Sequence, residues 1–182
     1  MRTWITTDWH MNHEKIKVFE NRPDNFESLI IAHHQKLIKP EDVLIHLGDT
    51  IFARKSELRG YLDQIKCRSK VLVRGNHDDH FTDTWLLNQG FDFVCDSIII
   101  NWVLLSHAPM QLTDDMRLNI HGHFHSGTQR HRKDDMYYYP YYGDRHVLLG
   151  LENTNYYPVS LEDIINRRYT KDIDGNSVII RR

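Results

Sequence analysis

Val43-Leu44-Ile45-His46-Leu47-Gly48-Asp49 is an apolar run that ends in a glycine and a carboxylate. It reads as a buried strand, and Gly48 lets the backbone turn closely so that the Asp49 side chain can project from the strand end. Four other polar motifs follow strand-like runs in the same way. Asp8-Trp9-His10 follows Arg2 to Thr7, Gly75-Asn76-His77-Asp78 follows Lys70 to Arg74, His107 follows Trp102 to Ser106, and Gly122-His123-Phe124-His125 follows Leu118 to His121. Their side chains are those that divalent metals prefer, and their common placement at strand ends predicts one catalytic metal centre.

The segments around Val43 to Asp49 alternate between strand and helix, which predicts an α/β layout with parallel crossovers. Asn25 is positioned to cap a helix from Phe26 to Ile38, stopped by Pro40, and Ser56 to Ile65 carries Leu58, Leu62 and Ile65 on one helical face. Asp83 to Asn88 reads as a short helix. Beyond it, closely spaced strand candidates at Asp92 to Cys95, Ser97 to Asn101, Trp102 to Ser106 and Leu118 to His121 predict hairpins. Val147 to Leu151 continues the β-rich half, and Ser160 with Asp163 resembles a helix N-cap. Asp174-Gly175-Asn176 is a turn candidate before a last strand, Ser177 to Ile180. No linker, repeat or low-complexity tract divides the chain, so a single domain over 1–182 is expected, built from two packed sheets with flanking helices.

Composition bounds the function. Hydrophobic residues make up 40% and charged residues 26% of the 182 residues, an ordinary globular balance. The formal charge of -2 supplies no bulk attraction to nucleic acid or membrane. Cys67 and Cys95 lack the spacing of a zinc ribbon or disulfide framework and read as reduced thiols. Asp8 and His10 interrupt any leader pattern, and no apolar run approaches the roughly 18 residues of a membrane span. The expected compartment is the cytoplasm, that of the host if the chain is phage-encoded.

A two-metal hydrolase needs ions about 3.5 to 4 Å apart, and therefore a bridging ligand between two incomplete shells. The Asp49 carboxylate suits the bridge. Asp8 and His10, two apart on an extended segment, would point the same way and suit one ion. His123 and His125 share that spacing, although in a tight loop they could equally serve two neighbouring ions. No G-x-S-x-G elbow surrounds Ser106, and no phosphate-cradling glycine loop is present.

These motifs in this order, D-x-H, G-D, G-N-H-D, a strand-end H and G-H-x-H, resemble the calcineurin-like metallophosphoesterase family, and in particular a small bacterial and phage-type subgroup. The resemblance implies an α/β four-layer sandwich of two mixed β-sheets flanked by helices. It also implies that Asp8, His10 and His125 hold a first metal, that Asn76, His107 and His123 hold a second, and that Asp49 bridges them. By the same resemblance His77 contacts the scissile phosphate and protonates or stabilises the leaving oxygen, with Asp78 orienting it. In the subgroup pattern His13 and Arg22 become candidates for substrate binding, with Arg54 and Arg74 weaker ones. The stretch Glu152 to Leu161 extends the subgroup match and reports architecture. His46 reads as a core residue or one that orients a ligand, His33 and His34 as structural or exposed, and His80 and His131 have no assigned role.

The implied reaction is in-line attack on phosphorus by a metal-activated hydroxide bridging two divalent ions. Oxygen and nitrogen ligands without thiolate suit manganese first, then iron or zinc. Gly48-Asp49 runs into Thr50-Ile51-Phe52 rather than the G-D-x-V-D-R-G of the protein phosphatases, and the chain lacks the extension of the family's DNA-repair nucleases. The expected activity is a phosphodiesterase on a small phosphodiester, with a nucleotide or cyclic nucleotide as the candidate class. A phosphomonoesterase and a non-catalytic scaffold are the alternatives. Tyr137 to Tyr142 is an aromatic surface loop or a lid that stacks on a nucleobase.

Overall fold

Neighbouring residues on the first three strands are buried in opposite directions, which sets this sheet between two apolar layers. In the computed structural model, which describes residues 1–52, 57–126, 143–166, 169–171 and 177–179, β1 (Thr3–Thr6), β2 (Val43–His46), β3 (Ser69–Val73) and β4 (Phe93–Cys95) run parallel. Trp4, Leu44 and Leu72 pack against α2 (Phe26–Leu37), α3 (Leu58–Leu62) and α4 (Asp83–Gln89) through Ile30, Ile31, Leu58, Leu62 and Leu86. Ile5, Ile45 and Val73 point the other way, onto Val103, Leu105, Ile120 and Val147 of a second sheet. Each such fully buried aliphatic side chain is worth about 1.5–3 kcal/mol. The short β9 (Val159–Ser160) closes the first sheet, antiparallel to β1, giving the order β4-β3-β2-β1-β9.

The second sheet has the order β5-β6-β7-β8, with β5 (Ser97–Ile100), β6 (Val103–Ser106), β7 (Leu118–His121) and β8 (His146–Leu148). Only one of the expected hairpins forms among these strands. β5 and β6 pair antiparallel across Asn101 and Trp102, whose φ values of +51° and +65° are those of a type I′ turn. β6, β7 and β8 are parallel instead. Both faces of β6 and β7 are buried, so period-2 alternation, which would mark a half-exposed antiparallel strand, is absent. The result is an α/β arrangement of two mixed sheets with flanking helices.

Helix ends show which local signals act. Ser160 caps α5 (Leu161–Ile165) by accepting from the Asp163 N–H, and Thr82 caps α4 by accepting from the Trp85 N–H. Asn25 occupies the cap position of α2, but its side chain makes no capping bond. α1 (Ile16–Phe19) and a 3-10 turn at Asp78–His80 are too short to leave a periodic signal. β10 (Tyr169–Lys171) and β11 (Ser177–Ile179) form a separate antiparallel pair. Arg54, Ser56, His131, Tyr137 to Tyr142 and Asp174-Gly175-Asn176 lie outside the described residues. No helix among the described residues is long and apolar enough to cross a membrane.

Candidate metal centre

Every candidate ligand leaves the C-terminal end of a strand: Asp8 and His10 after β1, Asp49 after β2, Asn76 after β3, His107 after β6, His123 and His125 after β7. The alternation of an extended chain does not bring them together, contrary to expectation. Asp8 and His10 both have φ of +49°, Asp49 +57°, His123 +69° and His125 +47°. Non-glycine residues in this left-handed region cost about 1–2 kcal/mol each, so the surroundings must hold them there. Trp9 holds the first loop. Fully buried, it donates from Nε1 to Thr6 Oγ1 at 2.9 Å and sets its ring edge-on to His46 and His34. The loops are also tied to one another, with Asp8 N–H donating to Gly48 O and His10 N–H to Asp49 O, each at 3.0 Å.

Two glycines make the approach possible. Gly48 has φ of +90°, and a Cβ there would fall 2.4 Å from Gly75 N and 2.8 Å from His107 Nδ1. A Cβ on Gly122 would fall 2.3 Å from Asp8 Oδ2.

Asp49 is the meeting point. Its Oδ2 lies 3.5 Å from His10 Nε2, 3.4 Å from His107 Nε2 and 3.9 Å from His77 Nε2, while its Oδ1 accepts from the His77 N–H at 2.9 Å. His107 Nδ1 faces Leu47 O at 2.8 Å. A carbonyl only accepts, so in the neutral ring Nδ1 carries the hydrogen and Nε2 keeps its lone pair. Nε2 itself lies 3.1 Å from both Asn76 Oδ1 and His123 Nδ1. Asp8 accepts from the His123 N–H and forms a close group with His10 and His125. His10 is 2% exposed, and neither of its ring nitrogens has a hydrogen-bond partner. Lone pairs converging from two sides of one carboxylate, together with a buried unbonded imidazole, fit divalent cations held between them.

The electrostatics divide the donors: Asp8 and His10 are held in the forms a cation binds, whereas Asp49 and His107 are drawn towards their protonated forms. Burial pushes Asp49 up to about 7, with the Asp8 charge adding to the rise and His107 opposing it. Burial would raise Asp8 as well, but His125, His107 and His10 hold it below the usual carboxylate range. Burial and the neighbouring His125 lower His10, favouring the neutral imidazole that a metal requires. His107 moves up despite its burial, because Asp8 and Asp49 stabilise its charged form.

The family model described as calcineurin-like phosphoesterase matches residues 1–175. The chain belongs to the calcineurin-like phosphoesterase family. Its structure is similar to that of AQ665 from Aquifex aeolicus, a protein of unknown function, at 28% identity and a TM-score of 0.69, over 91% of this chain and 98% of that one. It also resembles the nuclease MPE of Pseudomonas putida, at 20% identity and a TM-score of 0.51, over 68% of this chain and 62% of that one, a likeness of fold. No curated protein matches. Family membership makes this calcineurin-like phosphoesterase a metal-dependent phosphoric ester hydrolase, and the donor groups around Asp49 are where its divalent ions fit.

Other residues singled out in the sequence take different places in this phosphoesterase. His77 is half-buried at the edge of the centre. Asp78 makes its hydrogen bonds to the loop backbones, and its charge favours the protonated His77. Fully buried, its carboxylate accepts from the N–H groups of Asp49, Thr50 and Gly75 and from the Thr50 hydroxyl, clamping the β2 loop to the β3 loop. Arg22 does not line the opening. It is buried, donating to the carbonyls of Asp8 and Trp9 and pairing with Glu152 at 2.7 Å, so its donors brace the first loop from below. His13 lies on the rim, stacked on Phe52 with ring centroids 3.9 Å apart. Arg74 pairs with Asp83.

Sequence reasoning missed the group Glu20, His125 and Glu152, which gathers behind the first donor set. The only signal was the subgroup resemblance at Glu152, read there as architecture. It also missed the aromatic wall of Phe52, Phe81 and Trp85 beside His77, because Phe52 lies far in sequence from the other two and no motif joins them.

Proposed function

We propose that this calcineurin-like phosphoesterase is a dinuclear phosphodiesterase acting on a small phosphodiester, a nucleotide or cyclic nucleotide being the substrate class. The observation that carries the reading is Asp49 Oδ2, set between His10 Nε2 at 3.5 Å and His107 Nε2 at 3.4 Å, each a member of a different donor set. Asp8, His10 and His125 would hold one ion, Asn76, His107 and His123 the other, and Asp49 both. Manganese is the ion proposed first on the oxygen and nitrogen donor set, with iron or zinc next. When bound, such a pair supplies water activation and neutralises charge on the phosphoryl oxygens during in-line displacement.

The chain's own groups do the rest. His77, whose N–H is anchored to Asp49 Oδ1, presents Nε2 at the edge of the centre, where it can hand a proton to the leaving oxygen. Asp78 keeps the two loops carrying Asp49 and His77 in register. A diester rather than a monoester is supported by two separate cavities that border the centre. One, of about 710 Å³, opens at His77, and the other, of about 290 Å³, opens at Asn76, His107 and His123, so each could take one ester arm. The compartment proposed is the cytoplasm, on composition. Hydrolysis of bis-p-nitrophenyl phosphate faster than p-nitrophenyl phosphate, with manganese, is the expected result. The reverse order would make it a phosphomonoesterase, and no cleavage of either after metal loading would leave the scaffold.

A further inference from the structure

The 710 Å³ cavity beside His77 has a composition unlike the metal centre it adjoins. Phe81 follows the 3-10 turn and Trp85 lies one turn into α4, four residues later. Their rings stack with centroids 4.1 Å apart and 14° between planes. Across from them Phe52 remains 49% exposed, with one face on His13 and its ring 5.5 Å from His77. Among the described residues that line it, none is Asp, Glu, Lys or Arg; His77, His80 and Thr82 supply the polar edges. Flat aromatic walls with few polar groups, in a volume typical of small-molecule sites, select a flat uncharged ring.

We propose that this cleft binds a nucleobase, the planar heteroaromatic end of the phosphodiester arm that leaves past His77. The inference rests on the phosphodiesterase reading and locates the base of that substrate beside His77. An alkyl chain would fill the volume without using the ring faces, whereas a base stacks on Phe52 or on the Phe81–Trp85 pair and turns its polar edge to His80 and Thr82. The smaller cavity at Asn76, lined by Arg74, Asp79, Asp96 and Ser106, has the polar character suited to the other arm.

The test uses manganese-loaded protein and two hydrolysis-resistant ligands, the 5′-phosphonate analogues of AMP and of ribose 5-phosphate, titrated by calorimetry. The adenosine analogue should bind about tenfold tighter than the ribose analogue, the scale of one stacking contact. Phe52→Ala, at an exposed position, should remove most of that preference and leave ribose analogue binding unchanged. Trp85→Leu, which keeps an apolar group against the core, should reduce it as well. Equal affinity for the two ligands, binding of neither, or a preference unaltered in both variants overturns the base subsite. Bis-p-nitrophenyl phosphate hydrolysis is measured on the same samples. Hydrolysis without base preference sinks the cleft alone, and base preference without hydrolysis keeps the cleft and sinks the phosphodiesterase.

Discussion

Asp49 combines three roles that one carboxylate rarely carries: a left-handed backbone, near-complete burial and contact with both donor sets. Asp49→Ala should therefore lower manganese content from two ions towards none by elemental analysis, whereas His77→Ala should keep both ions and lose turnover by roughly 10²–10⁴-fold. Full turnover in His77→Ala would remove its imidazole from the chemistry. Arg22 is argued differently. Its side chain is fully buried and pairs with Glu152, so Arg22→Met leaves a largely buried carboxylate and the Asp8 and Trp9 carbonyls without their donor. A loss of about 3 kcal/mol in urea unfolding is expected, and a change below about 0.5 kcal/mol would show that the brace is idle. The gathering of the candidate ligands was legible because each motif pairs a metal-preferring side chain with a strand end. The burial of Arg22 and the backbone bonds of Asp78 were not, because a charged residue near a site reads the same whether it points at substrate or at the backbone beneath.

At the scale of elements, the turn after β2 and the helix α3 offer a matched pair of glycines. Gly48→Ala puts a Cβ at φ of +90° and against the Gly75 backbone at 2.4 Å. It should destabilise by about 2 kcal/mol or more and abolish metal uptake, since the loops of Asp49 and His107 would have to part. A Cβ on Gly60, inside α3, meets nothing within 4 Å. Gly60→Ala should stabilise by about 0.5–1 kcal/mol with unchanged metal content, and thermal melts with metal analysis check both. The strands and longer helices were readable from apolar periodicity, with β1, β2, β3 and α2 falling within a residue or so of their expected ends. What periodicity does not encode is strand direction. Hairpins were expected among the candidates from Asp92 to His121, yet the burial of β6 and β7 on both faces suits a parallel pair, and two-residue β9 offers no pattern at all.

The whole molecule carries an acid lability. His34, His46 and His121, spread over α2 and both sheets, are each pushed down to about 3, burial being the largest cause. The unfolded chain takes up protons on these rings near pH 6.5, whereas the folded chain refuses them until far lower pH. Stability is thus fully present above about pH 6.5 and is lost as pH falls towards 3, by about 1.4 kcal/mol per pH unit for each histidine. Metal-free protein, held in chelator so that protons do not compete with metal, should melt at progressively lower temperature from pH 7 to pH 5, with the raised Asp49 offsetting part of the loss. A flat profile would contradict the burial of these rings, and His34→Leu should flatten it in part. The strand directions have another result. Because β1, β2, β3, β6 and β7 all deliver their candidate ligands at one edge, the opposite edge carries, among the described residues, connections such as the exposed turn at Asn101 and Trp102. That edge is a natural handle: a surface tether, a dye or an inserted peptide grafted there would leave the mouth of the catalyst facing solution.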